Sequence, residues 1–290
     1  MNPQELNSLY LLNRLIRQPH EHKGHAGKVL IIGGASGMAG AALLAGRAAL
    51  HAGAGWVLIG FLDERAMAVL SDQPELMLNH ASKEIIQETR ADVLAIGPGL
   101  GQSEQAHDLL SQALQSSALL IIDADGLNLI ATHPELLQQL KHRPSLSTVI
   151  SPHPGEAARL LNTTAEEIQM NRPLAIDRLV ALTGAVVVLK GQNTLIKPPN
   201  VSTQLNEATR VCLKGHPGMG VAGMGDVLTG VIAAIMSQGI KHHINPFEAS
   251  CLAVELHATA ADALLNQGIG PIGLTPSEVI LEIRNLINIQ

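Results

Sequence analysis

Six short runs rich in Val, Ile and Leu, at 28–32, 55–60, 93–96, 118–122, 148–150 and 185–189, alternate with helix-length stretches. Those stretches are 39–51, 104–115, 134–140, 155–161 and 165–183. A chain that returns to a strand after each helix builds a mostly parallel sheet covered on both faces, a three-layer α/β/α arrangement. Composition favours the same fold. Tyr10, Trp56, Phe61 and Phe247 are the only aromatics in a chain that is 46% hydrophobic. The core must then be Ala, Val, Ile and Leu, which suits helices lying close on a buried parallel sheet.

Two further strand-like runs, 194–197 and 209–213, follow without helices and are expected to pair as hairpins at a sheet edge. The last third reads as helical at 226–237, 246–266 and 276–287. Residues 1–20 read as a short amphipathic helical extension. The Pro-containing stretch 197–201 is too short to link domains and no repeat occurs, so residues 1–290 are expected to form one domain.

Several function classes are excluded. A net charge of −6, with no basic run and no aromatic platforms, argues against nucleic acid. Cys212 and Cys251 form neither a disulfide framework nor a metal-ligand spacing, and reduced thiols in a cytoplasmic protein are expected. The N-terminus lacks the pattern of a signal peptide. The uncharged run 29–46 carries five glycines and reads as strand, turn and helix, not as a membrane span. His20, His22 and His25, like His242 and His243, lack an acidic or cysteine partner at ligand spacing, so no metal site is expected.

Open α/β sheets bind ligands beyond the carboxyl ends of their strands. Five informative peptides sit there: GGASG after Ile32, GPGLG after Ile96, DADGLN after Ile122, SPHPGE after Ile150 and KGQNT after Leu189. Asp123 and Asp125 could hold Mg²⁺ through water or cap the next helix. His153, fixed between two prolines, is the histidine expected to contact substrate. Lys190 reads either as a phosphate contact or as a solvated loop charge.

A sixth peptide, GHPGMGVAGMGDVLTG at 215–230, joins a glycine-rich turn directly to an apolar helix. Helix starts carry unpaired N–H groups and the positive end of the dipole, which suits a phosphate. Asp226 would repel that anion unless it had work there, and abstracting a proton beside a phosphoryl group is such work. The formal G-x-G-x-x-G match at Gly218, Gly220 and Gly223 lacks the first βαβ context of a dinucleotide site.

Together these peptides resemble the ADP-dependent NAD(P)H-hydrate dehydratases, a branch of the ribokinase-like superfamily. The resemblance runs from about His22 to Ile287. It is carried by HKGHAGKV, GMAGAALLAGRAAL, AIGPGLG, IIDADGLNLI, SPHPGEAARLL, VVLKGQNTLI and GMGVAGMGDVLTGVIAAI in that order. It implies repair of hydrated NADH and NADPH by loss of water from the S epimer, driven by ADP, or ATP in some members, with Mg²⁺. The implied substrate positions are Ala41, Gly99, His153 and Asp226. Lys190, Gly191, Gln192, Asn193, Thr194 and Gly225 fall on the nucleotide side. Asp226 is the implied base, with Gly223, Met224 and Gly225 around the phosphoryl group.

This chain departs from the family pattern at His216 for Asn, at residues 220–222, and at Met224 for Thr, where a phosphate-touching hydroxyl would be lost. The resemblance further implies a homotetramer and an epimerase partner for the R hydrate, expected on a separate chain. The alternative reading is a ribokinase-like kinase of a small alcohol or vitamin precursor, because the same loop and aspartate serve both reactions.

Overall fold

The computed structural model describes residues 3–200 and 208–289. The first two residues of the expected N-terminal helix, Val201 of the expected 197–201 loop, and Gln290 lie outside them. Ten strands form one sheet: β1 (Gln4–Glu5), β2 (Lys28–Gly33), β3 (Trp56–Phe61), β4 (Met77–His80), β5 (Val93–Ile96), β6 (Leu119–Ile122), β7 (Thr148–Ile150), β8 (Val186–Leu189), β9 (Leu195–Lys197) and β10 (Arg210–Val211). Their order is β1-β10-β9-β8-β7-β6-β5-β2-β3-β4. Pairing is parallel except where β9 meets β8 and β10, the two expected edge hairpins.

Among the described residues, eleven α-helices follow in chain order: α1 (Ala39–His51), α2 (Lys83–Thr89), α3 (Glu104–Gln115), α4 (Asp125–Thr132), α5 (Pro134–Lys141), α6 (Pro154–Leu161), α7 (Ala165–Met170), α8 (Arg172–Thr183), α9 (Met224–His242), α10 (Pro246–Asn266) and α11 (Pro276–Asn288). Alternation along the strands sorts them into two layers. Val29 and Ile31 of β2 face a core shared with α1, α9, α10 and α11, whereas Leu30 and Ile32 face the core under α2–α8. All four are fully buried, as a sheet covered on both faces requires.

Helix α9 is the centre of the first layer. Every residue from Val227 to Gly239 is buried, so its apolar sequence reflects neighbours on all sides and not a membrane. No described helix is long and apolar enough to cross a membrane. Where α9 meets α1, a Cβ on Gly230 would stand 2.1 Å from the Ala45 carbonyl oxygen. Only glycine permits that crossing.

Four expectations need correction. The N-terminal segment is helical only over Leu9–Leu15, a 3₁₀ helix that buries Leu11, Leu12 and Leu15, and before it β1 joins the sheet beside β10. Strand β4 and helix α2 went unpredicted because the β4 run, MLNH, is half-polar and partly exposed at a sheet edge. Helix α4, which had no predicted bounds, begins at Asp125 within the DADGLN peptide. The expected helix 165–183 breaks at Asn171, whose side chain accepts from the Leu174 N–H and starts α8 afresh.

Candidate active site

The sheet order reverses between β2 and β5, since β3 lies on one side of β2 and β5 on the other. Such a reversal opens a crevice at the carboxyl ends of the strands. The loops after β2 and β5 are stitched together there: Gly34 N–H donates to the Pro98 carbonyl at 3.0 Å and Ala35 N–H to the Gly99 carbonyl at 2.6 Å. Gly99 has φ +59°, and a Cβ on it would meet the Met38 carbonyl at 2.6 Å and the Ala41 Cβ at 3.3 Å. The two predicted substrate positions Gly99 and Ala41 are therefore neighbours, one from the loop after β5 and one from the first turn of α1.

Further along the same edge, the residue after β6 and the residue after β8 meet. Lys190 Nζ donates to Asp123 Oδ1 at 2.5 Å, and Thr229 Oγ1 of α9 donates to Asp123 Oδ2 at 2.8 Å. Asp123 is 1% exposed. It neither caps α4, whose N-cap is Ala124, nor stands free in solvent. Asp125 accepts from the Gly101 N–H at 2.9 Å, tying the β5 loop to α4. Lys190 is thus an ion-pair partner and not a solvated loop charge.

Between these two ends stands the first turn of α9. Gly223 is the N-cap, with φ +94°, and has Leu44 of α1 and Pro276 of α11 beside it. A Cβ on Gly225 would stand 3.4 Å from Lys190 Nζ and 3.8 Å from Asp123 Oδ2. The first-turn N–H groups of a helix lack intrahelical partners, and Gly225 and Asp226 belong to that turn. Burial raises the proton affinity of Asp226, the negative charge of Asp123 raises it further, and Lys190 only partly opposes them, so its pKa is pushed up to about 6. Lys190 shows the converse balance: burial disfavours its charge, but Asp123, Glu156 and Asp226 together hold its pKa above the ordinary value. The result is a cradle of backbone N–H groups beside a carboxylate whose proton affinity is raised toward neutral pH.

His153 follows β7 and is the N-cap of α6. Its Nδ1 accepts from the Gly155 N–H at 2.9 Å, while Glu156 accepts from the His153 N–H at 2.8 Å and its other carboxylate oxygen lies 3.0 Å from the ring Nε2. A capping box therefore fixes the half-exposed ring, more than the flanking prolines do. Gly191, Gln192 and Asn193 form an exposed turn between β8 and β9, closed by Thr194 Oγ1 donating to the Gly191 carbonyl at 2.9 Å. Arg172 braces that turn from α8 by donating to the Leu189 and Lys190 carbonyls.

Two departures noted in the sequence acquire structural explanations. Met224 is 5% exposed and packs in the α1/α9 core, so its side chain does not reach the cradle and only its backbone can. His216 caps the 3₁₀ turn at Pro217–Met219, its Nδ1 accepting from the Gly218 N–H at 3.1 Å and its Nε2 contacting the Ala261 carbonyl at 3.1 Å. Imidazole here does what an asparagine amide oxygen does at an N-cap. We expect His216→Ala to lower unfolding stability by about 1 kcal/mol in a urea titration and His216→Asn to recover at least about half of that loss.

Thr229 and Arg172 were missed in the sequence. Thr229 had one visible signal, a hydroxyl three residues after Asp226 in an otherwise apolar helix. Among the described residues, the group with metal-compatible proximity is His107, His133 and Glu135. Its members already bond within the protein, His107 Nε2 with Glu135 at 3.1 Å and His133 Nδ1 with the Leu129 carbonyl at 3.0 Å.

The family described as NAD(P)H-hydrate dehydratase matches residues 29–285. The chain is 35% identical over 289 residues to the ADP-dependent (S)-NAD(P)H-hydrate dehydratase of Neisseria meningitidis serogroup B, covering 96% of this chain and 93% of that one. It is 37% identical over 274 residues to the bifunctional NAD(P)H-hydrate repair enzyme Nnr of Escherichia coli K12, covering 94% of this chain and 50% of that one. The chain thus spans about half the length of the bifunctional relatives it matches. Among solved structures, the ADP/ATP-dependent NAD(P)H-hydrate dehydratase of Bacillus subtilis, co-crystallised with ATP and Mg²⁺, superposes with a TM-score of 0.78 at 26% identity, covering 99% of this chain and 98% of that one.

Proposed function

We propose that this chain, which belongs to the NAD(P)H-hydrate dehydratase family, restores NADH and NADPH from their S hydrates at the expense of ADP. The observation that carries the reading is the partly buried Asp226 at the start of α9, set against Lys190 and the Gly223–Gly225 turn.

Hydroxide is a poor leaving group, so the ring hydroxyl is first phosphorylated. Asp226 takes the hydroxyl proton as that oxygen attacks the terminal phosphorus of ADP, and AMP leaves. Backbone N–H groups of the α9 first turn and the Lys190 ammonium stabilise charge on the transferring phosphoryl group. The ring nitrogen then expels phosphate, and loss of a proton from the adjacent ring carbon restores the dihydronicotinamide. Ala41, Gly99 and His153 line the hydrate's side of the crevice. Lys190, Gly191, Gln192, Asn193 and Thr194 serve the nucleotide.

Mg²⁺ would enter on the phosphate oxygens of the nucleotide and supply positive charge there. The pocket suits it, because Asp123, Asp125, Glu156 and Asp226 outnumber the single Lys190 around the cradle. ADP is the preferred donor, as in the Neisseria relative's name, with ATP as the second candidate. The R hydrate needs an epimerase, and the half of the bifunctional relatives that this chain does not match is the natural seat of a second function. A homotetramer and a cytoplasmic setting complete the reading.

The test is direct. Hydrated NADH incubated with ADP and Mg²⁺ should regain the absorbance of reduced nicotinamide while AMP and phosphate accumulate in equal amounts. Phosphorylation of an alcohol with no recovery of that band would favour a kinase instead.

The pH profile offers a second check. Asp226 must be ionised to accept a proton, and its pKa stands at about 6. We expect kcat/KM for the hydrate to be flat above neutrality and to fall about tenfold per pH unit below about pH 6. A profile flat down to pH 4.5 would remove Asp226 as the base.

A further inference from the structure

We propose that Asp123 is a positioning residue that clamps the nucleotide-side lysine, Lys190, to the helix that carries Asp226. The proposal rests on the dehydratase reading only for what the clamp is used for, not for its existence.

Its basis is one carboxylate holding three elements. Asp123 follows β6, Lys190 follows β8, and Thr229 belongs to α9, one turn beyond Asp226. The residue between the two strand ends is Ser151, after β7, so Lys190 must reach across a whole strand to meet Asp123. Nothing else among the described residues accepts a hydrogen bond from the Lys190 ammonium. The Thr229 hydroxyl takes the other oxygen of Asp123. Because residues three apart lie on one helical face, fixing Thr229 sets the rotation of α9 and hence the aim of Asp226. The carboxylate is 1% exposed and the lysine side chain 17% exposed, so neither partner can be lost without leaving a buried charge short of its counter-charge.

The clamp has a second effect through charge. Around Asp226 stand Asp123 after β6, Asp125 on α4, Glu156 on α6 and Lys190 after β8. Helices α1 and α11 bring Leu44 and Pro276 to the same turn. From α10, buried His257 is held neutral, its pKa pushed down to about 4 by burial and then by Lys190. Of the negative neighbours Asp123 weighs most on Asp226. One side chain therefore sets both where the base points and how readily it takes a proton.

The experiment compares wild type with Asp123→Asn, Thr229→Val and Thr229→Ser. Two readouts need no turnover: ADP affinity by calorimetry, and titration of the Asp226 carboxyl carbon by NMR in the nucleotide-free protein, assigned with Asp226→Asn. Asp123→Asn should weaken ADP about tenfold and move the Asp226 titration down by about one pH unit. Its acid limb in kcat/KM should move with it. Thr229→Val should lower kcat about five- to tenfold with ADP affinity within about twofold, and Thr229→Ser should recover wild-type kcat within about twofold.

Unchanged ADP affinity and an unchanged Asp226 titration in Asp123→Asn would overturn the proposal. Should that variant fail to fold, a Thr229→Val enzyme with wild-type kcat overturns it instead. If wild type turns over no hydrate while Asp123→Asn still alters both binding readouts, the clamp stands and the dehydratase reading falls.

Discussion

Asp226→Asn is expected to lower kcat for hydrate dehydration by at least about a thousandfold and, at the same time, to raise the melting temperature by several degrees. The first effect follows from removing the proposed general base, a role of about 10² to 10⁴ in rate, in a step whose other requirements remain. The second follows from burial. Asp226 has a pKa of about 6 in the folded protein, against about 4 in an unfolded chain. The folded state therefore binds more protons than the unfolded state between those values, and stability falls as the pH rises from about 4 to about 6. Above that window the ionised group costs on the order of 2–3 kcal/mol, which asparagine relieves. Differential scanning calorimetry at pH 7.5 and pH 4 separates the contributions, since the stabilisation should be large at the first and nearly absent at the second. ADP affinity should stay within about threefold. A variant that loses activity together with stability would point to a structural aspartate instead.

Gly230→Ala should be among the most disruptive single methyl additions in α9. The added Cβ would lie 2.1 Å from the Ala45 carbonyl oxygen and 2.8 Å from the Ala48 Cβ. Neither can yield, because one is backbone and both belong to the helix against which α9 makes its most extensive contact. Helix α9 must withdraw by more than about an ångström, at a cost of about 3 kcal/mol or more. Since α9 carries Asp226 and Thr229, the residual folded enzyme should also lose kcat. Gly40→Ala is the matched control. It lies in α1, an added Cβ there meets nothing within 4 Å, and the change should be neutral or stabilising by up to about 1 kcal/mol. Urea unfolding of the two variants decides the matter, and equal midpoints would contradict the crossing geometry.

The layers and the parallel sheet were legible because strands buried on both faces write themselves as unbroken Val/Ile/Leu runs, as in LIIG and VVVL. Half-exposed edges do not, which is why β4 escaped notice and the N-terminal segment was taken for a helix. The cradle was legible in part. Five glycines leading into Asp226 announce a backbone turn and an isolated charge, whatever the tertiary context. The partners of that charge are another matter. Asp123 and Lys190 are 67 positions apart and Asp123 and Thr229 are 106 apart, so only the sheet order brings them together. The direction of the Met224 side chain was not legible for a related reason. At the start of a helix, direction depends on how the helix is docked, and α9 docks with that side chain toward α1. Capping by His153 and His216 was unread because imidazole is a less familiar N-cap than an amide.

The pairing of β1 with β10 has a consequence for synthesis. Gln4 lies opposite Arg210, so the segment that forms β1 cannot find its sheet partner until about two hundred further residues have been synthesised. Ser8 waits longer still, because its N–H donates to buried Glu255 on α10. Until then Leu11, Leu12 and Leu15 have no core to enter, and the nascent protein carries an exposed apolar segment. Loop closure over such a span is slow relative to local helix formation. The sheet's last edge is sealed late, and a chaperone that shields the N-terminal segment during translation should raise the yield of folded enzyme more than one that acts after release.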